Sequence, residues 1–132
     1  MALITQSTYP QPRRVLVVDD EELILGVAAR LLRRLPVEVD TALSGVEAMR
    51  KLELAPSRYN LVMLDLTMPE PGGRKVLEAI QRLRTDLPVV IMSGLSAEES
   101  QDVLNGLSCQ GFLGKPFALE DVRNLVRRIL PE

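Results

Sequence analysis

Histidine is absent from the 132 residues of this chain, and that removes several chemistries at once. No Ser-His-Asp or Cys-His nucleophilic machinery can be assembled, no imidazole can ligate a metal, and no phosphohistidine can form on this chain. Cysteine occurs once, at Cys109. An internal disulfide is therefore excluded, and with no histidine to activate its thiol, Cys109 reads as a packed or loop residue rather than a nucleophile. Long apolar runs are missing too. No stretch approaches the roughly 18 residues of a membrane span, and Met1 to Pro12 lacks the apolar core of a secretory signal. The expected location is the cytoplasm, with no membrane partner.

What is present is an ordinary globular composition, 46% apolar and 26% charged, in a length that suits one domain. The 16 basic and 18 acidic residues leave a net charge of −2, which argues against general nucleic-acid binding by this domain. Residues 1–12 contain Pro10 and Pro12 without periodicity and read as a disordered lead-in, so the folded domain is expected over 13–132.

Within that domain, four short apolar runs bounded by turn residues read as buried strands. They are Val15 to Val18, Leu61 to Leu64, Val89 to Met92 and, more briefly, Gly111 to Gly114; Val37 to Ala42 alternates and supplies another. Between them, apolar residues recur at helical spacing. Ile24, Val27, Ala28, Leu31, Leu32 and Leu35 predict a helix stopped by Pro36, and Val76, Ile80 and Leu83 predict another. Ser44 with Glu47, and Ser96 with Glu99, have capping-box spacing and open two more helices. The first runs to about Leu54; the second, through Val103, Leu104 and Leu107, has the thinnest apolar face. Leu119, Val122, Val126 and Ile129 give the last helix. Five strands alternating with five helices predict an α/β fold, a doubly wound parallel sheet with helices on both faces.

In such a sheet ligands gather outside the carboxyl ends of the strands. Those ends deliver Asp19 and Asp20, then Asp65, then Ser93, then Lys115. Two carboxylates about 4 Å apart repel by roughly 4 kcal/mol at an effective dielectric of 20, so clustered acids must hold protons or a cation. Oxygen ligands without histidine or thiolate suit Mg²⁺. Lysine and a serine hydroxyl suit phosphoryl oxygens. Each residue alone has an ordinary reading: an acid pair opening a helix favours the dipole, and a lysine before Pro116 is a solvated loop charge. Their arrival together at four strand ends points to phosphoryl transfer onto an aspartate.

Four segments carry a further resemblance: VLVVDDEE at the first strand, LVMLDLTMP at the third, VVIMSG at the fourth and GFLGKPF at the fifth. Over Arg13 to Leu130 the chain resembles the receiver domain of two-component response regulators. The resemblance implies a flavodoxin-like sheet of order 2-1-3-4-5, an order for which a family member is a standard example. It implies that Asp65 accepts a phosphoryl group from the phosphohistidine of a histidine kinase or histidine phosphotransfer protein. It assigns Mg²⁺ to Asp20, Asp65 and the backbone carbonyl of Thr67, with Asp19 acting through a coordinated water. Lys115 would hold a phosphoryl oxygen, Ser93 would follow the group by hydrogen bonding, and Phe112 would change rotamer as the signal spreads, ordinary core packing being its other reading. A downstream protein partner or effector domain would read the change; a homodimer is a further expectation.

Departures from the family pattern are Thr67, where a longer polar residue is common, Gly94 after Ser93, and Gly72 with Arg74 in the EPGG loop. For the last two the sequence alone suggests no function. An aspartate-nucleophile phosphatase also pairs acids with lysine and Mg²⁺, but usually places a second acid two residues after the nucleophile, where this chain has Thr67. An unphosphorylated pseudo-receiver is disfavoured because all the expected site residues are present. The SGLSA and GFLGKPF segments are similar to receivers carried by hybrid histidine kinases, the alternative being a regulator with a DNA-binding domain.

Overall fold

The computed structural model describes residues 12–131, so the expected lead-in lies outside the described residues except for Pro12. Five strands form one sheet: β1 (Arg13–Val18), β2 (Val37–Ala42), β3 (Leu61–Asp65), β4 (Val89–Ser93) and β5 (Gly111–Gly114). Their order is β2-β1-β3-β4-β5, and every neighbouring pair is parallel. The helices between them are α1 (Glu22–Leu32), α2 (Gly45–Leu54), α3 (Gly73–Leu83), α4 (Ala97–Leu104) and α5 (Leu119–Ile129). The expected doubly wound α/β sheet of order 2-1-3-4-5 is the observed one.

Two apolar layers explain why the sheet forms. Successive residues of a strand face opposite sides, and β3 divides accordingly: Leu61 and Met63 join the layer under α1 and α5, while Val62 and Leu64 join the layer under α2 and α3. All five residues of β3 and all five of β4 are buried. Burying each such aliphatic side chain contributes about 1.5–3 kcal/mol. Strands covered on both faces must be continuously apolar, which is why Asp65 and Ser93, at their last positions, stand out.

Helix limits differ from the periodicity in two places. The first helix ends at Leu32, not Leu35: Arg34 N–H bonds the Leu31 carbonyl and Leu35 N–H the Leu32 carbonyl, a tightened turn that brings the chain into β2. Val27, expected on its apolar face, is exposed, while Leu25 and Ala29 are buried. The fourth helix ends at Leu104, because Asn105 at φ 48° and Gly106 at φ 93° turn left-handed. Leu107 therefore packs on the core from a loop. On α3 the buried face is Val76, Leu77 and Ile80, with Leu83 turned outward. Ser96 and Glu99 form the full capping box, Ser96 Oγ accepting from Glu99 N–H and Glu99 Oε1 from Ser96 N–H, each at 3.0 Å. At α2 Ser44 Oγ accepts from Glu47 N–H at 3.0 Å, but Glu47 Oε1 takes the Leu43 N–H at 2.6 Å instead of that of Ser44, so the expected box is only half formed.

Candidate functional site

The parallel register aligns the strand ends. Val18 pairs with Leu64, Asp65 with Met92 and Ser93 with Gly114, so the residues at and after these positions emerge along one edge. There Asp19, Asp20 and Asp65 place carboxylate oxygens all within 4.8 Å of one another. Asp19 and Asp65 are buried and Asp20 is exposed. Asp19 is fixed at both ends: its N–H bonds the Ala42 carbonyl at 3.1 Å, and its Oδ1 accepts from Glu21 N–H at 2.9 Å.

Lys115 crosses to these acids from the end of β5, where its N–H bonds the Ser93 carbonyl at 2.8 Å. Its Nζ lies 2.8 Å from Asp19 Oδ2 and 3.2 Å from Asp65 Oδ1, with Glu21 Oε1 at 3.9 Å. One ammonium thus faces three clustered carboxylates. Burial first, then the Asp19 charge, pushes the Asp65 carboxyl above the usual carboxylate range, and Lys115 and the Thr67 N–H only partly offset this. Burial acts to lower the Lys115 pKa, but its hydrogen bond to Asp19 and the charges of Asp65 and Asp19 prevail and raise it. Among the described residues this is where three acids gather within reach of a common ion. All-oxygen donors, two of them buried and incompletely neutralised, fit a hard divalent cation such as Mg²⁺.

The sequence-predicted residues other than Phe112 lie at this edge or next to it. Thr67 is exposed in the turn after β3, its N–H directed at the Asp65 carboxyl. Ser93 is buried at the end of β4, and its Oγ accepts from Leu95 N–H at 2.9 Å and from the Ser100 hydroxyl at 3.2 Å. Phe112 lies inside β5, paired with Ile91, and is partly buried against the apolar layer that α2, α3 and α4 cover. Gly94 is exposed with open space where a Cβ would sit. The EPGG loop gains a reading: Gly72 caps α3, and Arg74 donates from Nε to the Leu104 carbonyl at 3.2 Å, linking α3 to the end of α4.

Two contributors escaped the sequence reading. A Cβ on Gly73 would lie 2.6 Å from the Asp65 carbonyl and 2.6 Å from Leu66 Cα, so glycine alone lets α3 start against the strand that carries Asp65. Its signal was the second glycine of EPGG. Ser100 is the other, and only its place on the inner side of α4 distinguishes it from ordinary helix serines.

With this geometry in view, the comparisons with known proteins agree. Residues 15–127 match the family model described as the response regulator receiver domain. The transcriptional regulatory protein PrrA of Mycobacterium leprae is 33% identical over 117 residues, covering 89% of this chain and 49% of that protein. The two-component response regulator ORR22 of rice (Oryza sativa subsp. indica) is 33% identical over 125 residues, covering 92% of this chain and 17% of that protein. This chain therefore spans half or less of these curated relatives. Among solved structures, the chemotaxis protein CheY4 of Vibrio cholerae superposes with a TM-score of 0.82 at 26% identity, covering 91% of this chain and all 100% of that one.

Proposed function

The chain belongs to the response regulator receiver domain family, a non-enzymatic signalling module, and from that premise we propose that Asp65 accepts a phosphoryl group from a partner's phosphohistidine. The observation that carries this reading is the meeting of three carboxylates and one lysine at the carboxyl edge of the sheet. An Asp65 carboxylate oxygen attacks phosphorus. The new O–P bond forms as the N–P bond breaks, and that electron pair returns to the partner's imidazole, leaving an acyl phosphate on Asp65. Lys115 holds a phosphoryl oxygen and offsets the charge that the transferring group brings. Asp20, Asp65 and the Thr67 carbonyl would hold Mg²⁺, with Asp19 acting through a water. When bound, the cation would neutralise charge on the acids and on the phosphoryl oxygens. Ser93 donates to the phosphoryl group, and Phe112, partly buried against the core, carries the change outward.

The donor is a histidine kinase or histidine phosphotransfer protein, since this chain has no histidine of its own. Leu23, at the start of α1, and Leu43 and Val46, after β2, are large apolar residues left exposed near the carboxyl ends of β1 and β2. Exposed apolar side chains beside the acceptor end of the sheet suit a partner surface. The output is a protein contact with an effector, in the cytoplasm; among the described residues no helix is long and apolar enough to cross a membrane. The folded unit is assigned to 13–132.

The test is intact mass after incubation with Mg²⁺ and a small phosphodonor such as acetyl phosphate. One phosphoryl group should add to the parent and none to Asp65→Asn. No gain, or an equal gain in the variant, refutes the assignment.

A further inference from the structure

Four polar side chains are buried among the described residues: Asp19, Asp65, Ser93 and Ser100. Three belong to the site above. Ser100, 1% exposed, lies on α4, where apart from it only Leu104 is buried. The carbonyl four residues back, that of Ser96, is occupied by the Ser100 N–H at 2.9 Å. Its hydroxyl instead donates across to Ser93 Oγ at 3.2 Å. The partners of the Ser93 hydroxyl, Leu95 N–H and Ser100, thus both lie on the α4 side, and Lys115 Nζ rather than Ser93 pairs with the Asp65 carboxylate.

We propose that Ser100 is a positioning residue that holds the Ser93 hydroxyl turned toward α4 until a phosphoryl group is present on Asp65. The inference rests on the phosphoacceptor reading and adds a competing contact to it. A serine hydroxyl turned toward Asp65 leaves Ser100 behind, so the Ser93–Ser100 bond belongs to the phosphoryl-free state alone. Contacts made in only one of two states set their balance. The loss also leaves a buried hydroxyl without a partner, which is unfavourable. The helix that carries it is short and anchored by few side chains, so α4 is the element that must adjust.

The experiment measures the affinity of the Mg²⁺-loaded protein for beryllofluoride, a phosphoryl mimic, by amide chemical-shift titration. Deleting a bond present only in the free state should tighten binding, by about five-fold for one neutral hydrogen bond. Ser100→Ala should therefore bind more tightly than the parent, and Ser100→Cys, which keeps the shape with a weaker donor, should shift the same way. In a Ser93→Ala background the same changes should have no effect. Unchanged or weaker binding in both Ser100 variants, or an equal gain without the Ser93 hydroxyl, overturns the proposal. If the parent binds no better than Asp65→Asn, the phosphoacceptor reading falls and this inference with it. Binding that needs Asp65 but ignores Ser100 leaves that reading standing and removes only the tether.

Discussion

Replacing Asp65 by asparagine should make the cation-free protein more stable, although it removes one partner of a buried ion pair. The charges nearly balance. Each acid partner of Asp65 lies within 4.8 Å, which at an effective dielectric of 20 costs about 3.5 kcal/mol or more per pair. Lys115 at 3.2 Å returns about 5 kcal/mol on the same scale. Asp20 is exposed and screened, so attraction and repulsion come close to cancelling and the desolvation of a buried carboxylate decides the sign. We expect a gain of about 2 kcal/mol at neutral pH, a rise in Tm of roughly 5–8 °C for a domain of this size. The pH dependence follows from the raised pKa of Asp65, caused first by burial and then by Asp19. An acid raised in the folded state binds more protons folded than unfolded between its two pKa values. Its destabilising effect is therefore absent below about 3.9 and grows as pH rises through the folded value. The parent should show this loss of stability and the variant should not. Urea unfolding followed by circular dichroism, in chelator and across pH, measures both, and added Mg²⁺ should stabilise the parent more than the variant. A variant less stable than the parent in chelator would refute the reasoning, because it would mean that the Lys115 pair outweighs burial and repulsion together.

Two predictions concern what positions the site. Gly73→Ala should destabilise by about 3 kcal/mol, since the added Cβ meets backbone atoms at 2.6 Å that no rotamer can avoid; thermal unfolding checks it, and a loss under about 0.5 kcal/mol, the range of a neutral surface change, would show that α3 shifts freely. At the opposite edge, the buried Tyr59 donates its hydroxyl to Asp40 Oδ2 at 2.6 Å, and Asp40 also holds Arg14 and Arg58. Burial opposes ionisation there, but Tyr59, Arg58 and Arg14 together lower the Asp40 pKa, while burial and Asp40 push that of Tyr59 up to about 12. Tyr59→Phe should cost about 2 kcal/mol without altering phosphorylation, and the Asp40 contribution, present above about pH 3.9, should be lost as pH falls through its lowered folded value.

The fold was legible because its strands are buried on both faces, so that Val15 to Val18, Leu61 to Leu64 and Val89 to Met92 had to be unbroken apolar runs. Against that background the terminal Asp65 and Ser93 were visible as exceptions. Lys115 could be read for the same reason, as the first charge after a short strand. The helices were less legible because they are covered on one side only, and their limits depend on turn geometry. Asn105 and Gly106 are a stop signal the apolar pattern of Val103, Leu104 and Leu107 overran. Ser100 was hidden for a different reason: a helix serine is usually solvated, and its burial depends on α4 lying over the end of β4, a tertiary fact. Phe112, read as a mover, lies half in the core, where either reading of its side chain begins.

The charge stress at Asp65 and the thin anchoring of α4 have a common physical sense. A ligand shifts a two-state balance only by the difference in its contacts with the two states, and a shift from 1:99 to 99:1 takes about 5.5 kcal/mol. A well-packed helix carrying many buried aliphatic side chains would resist displacement by more than a single phosphoryl group can supply. By contrast, α4 buries Ser100 and Leu104, and it is tied to its neighbours by bonds such as Ser100 to Ser93 and Arg74 to the Leu104 carbonyl. These are contacts of about 1 kcal/mol each, within the range that new phosphoryl hydrogen bonds at Ser93 and Lys115 can exchange. Packing α4 more firmly, by enlarging its apolar face, would therefore stabilise the domain and weaken its response.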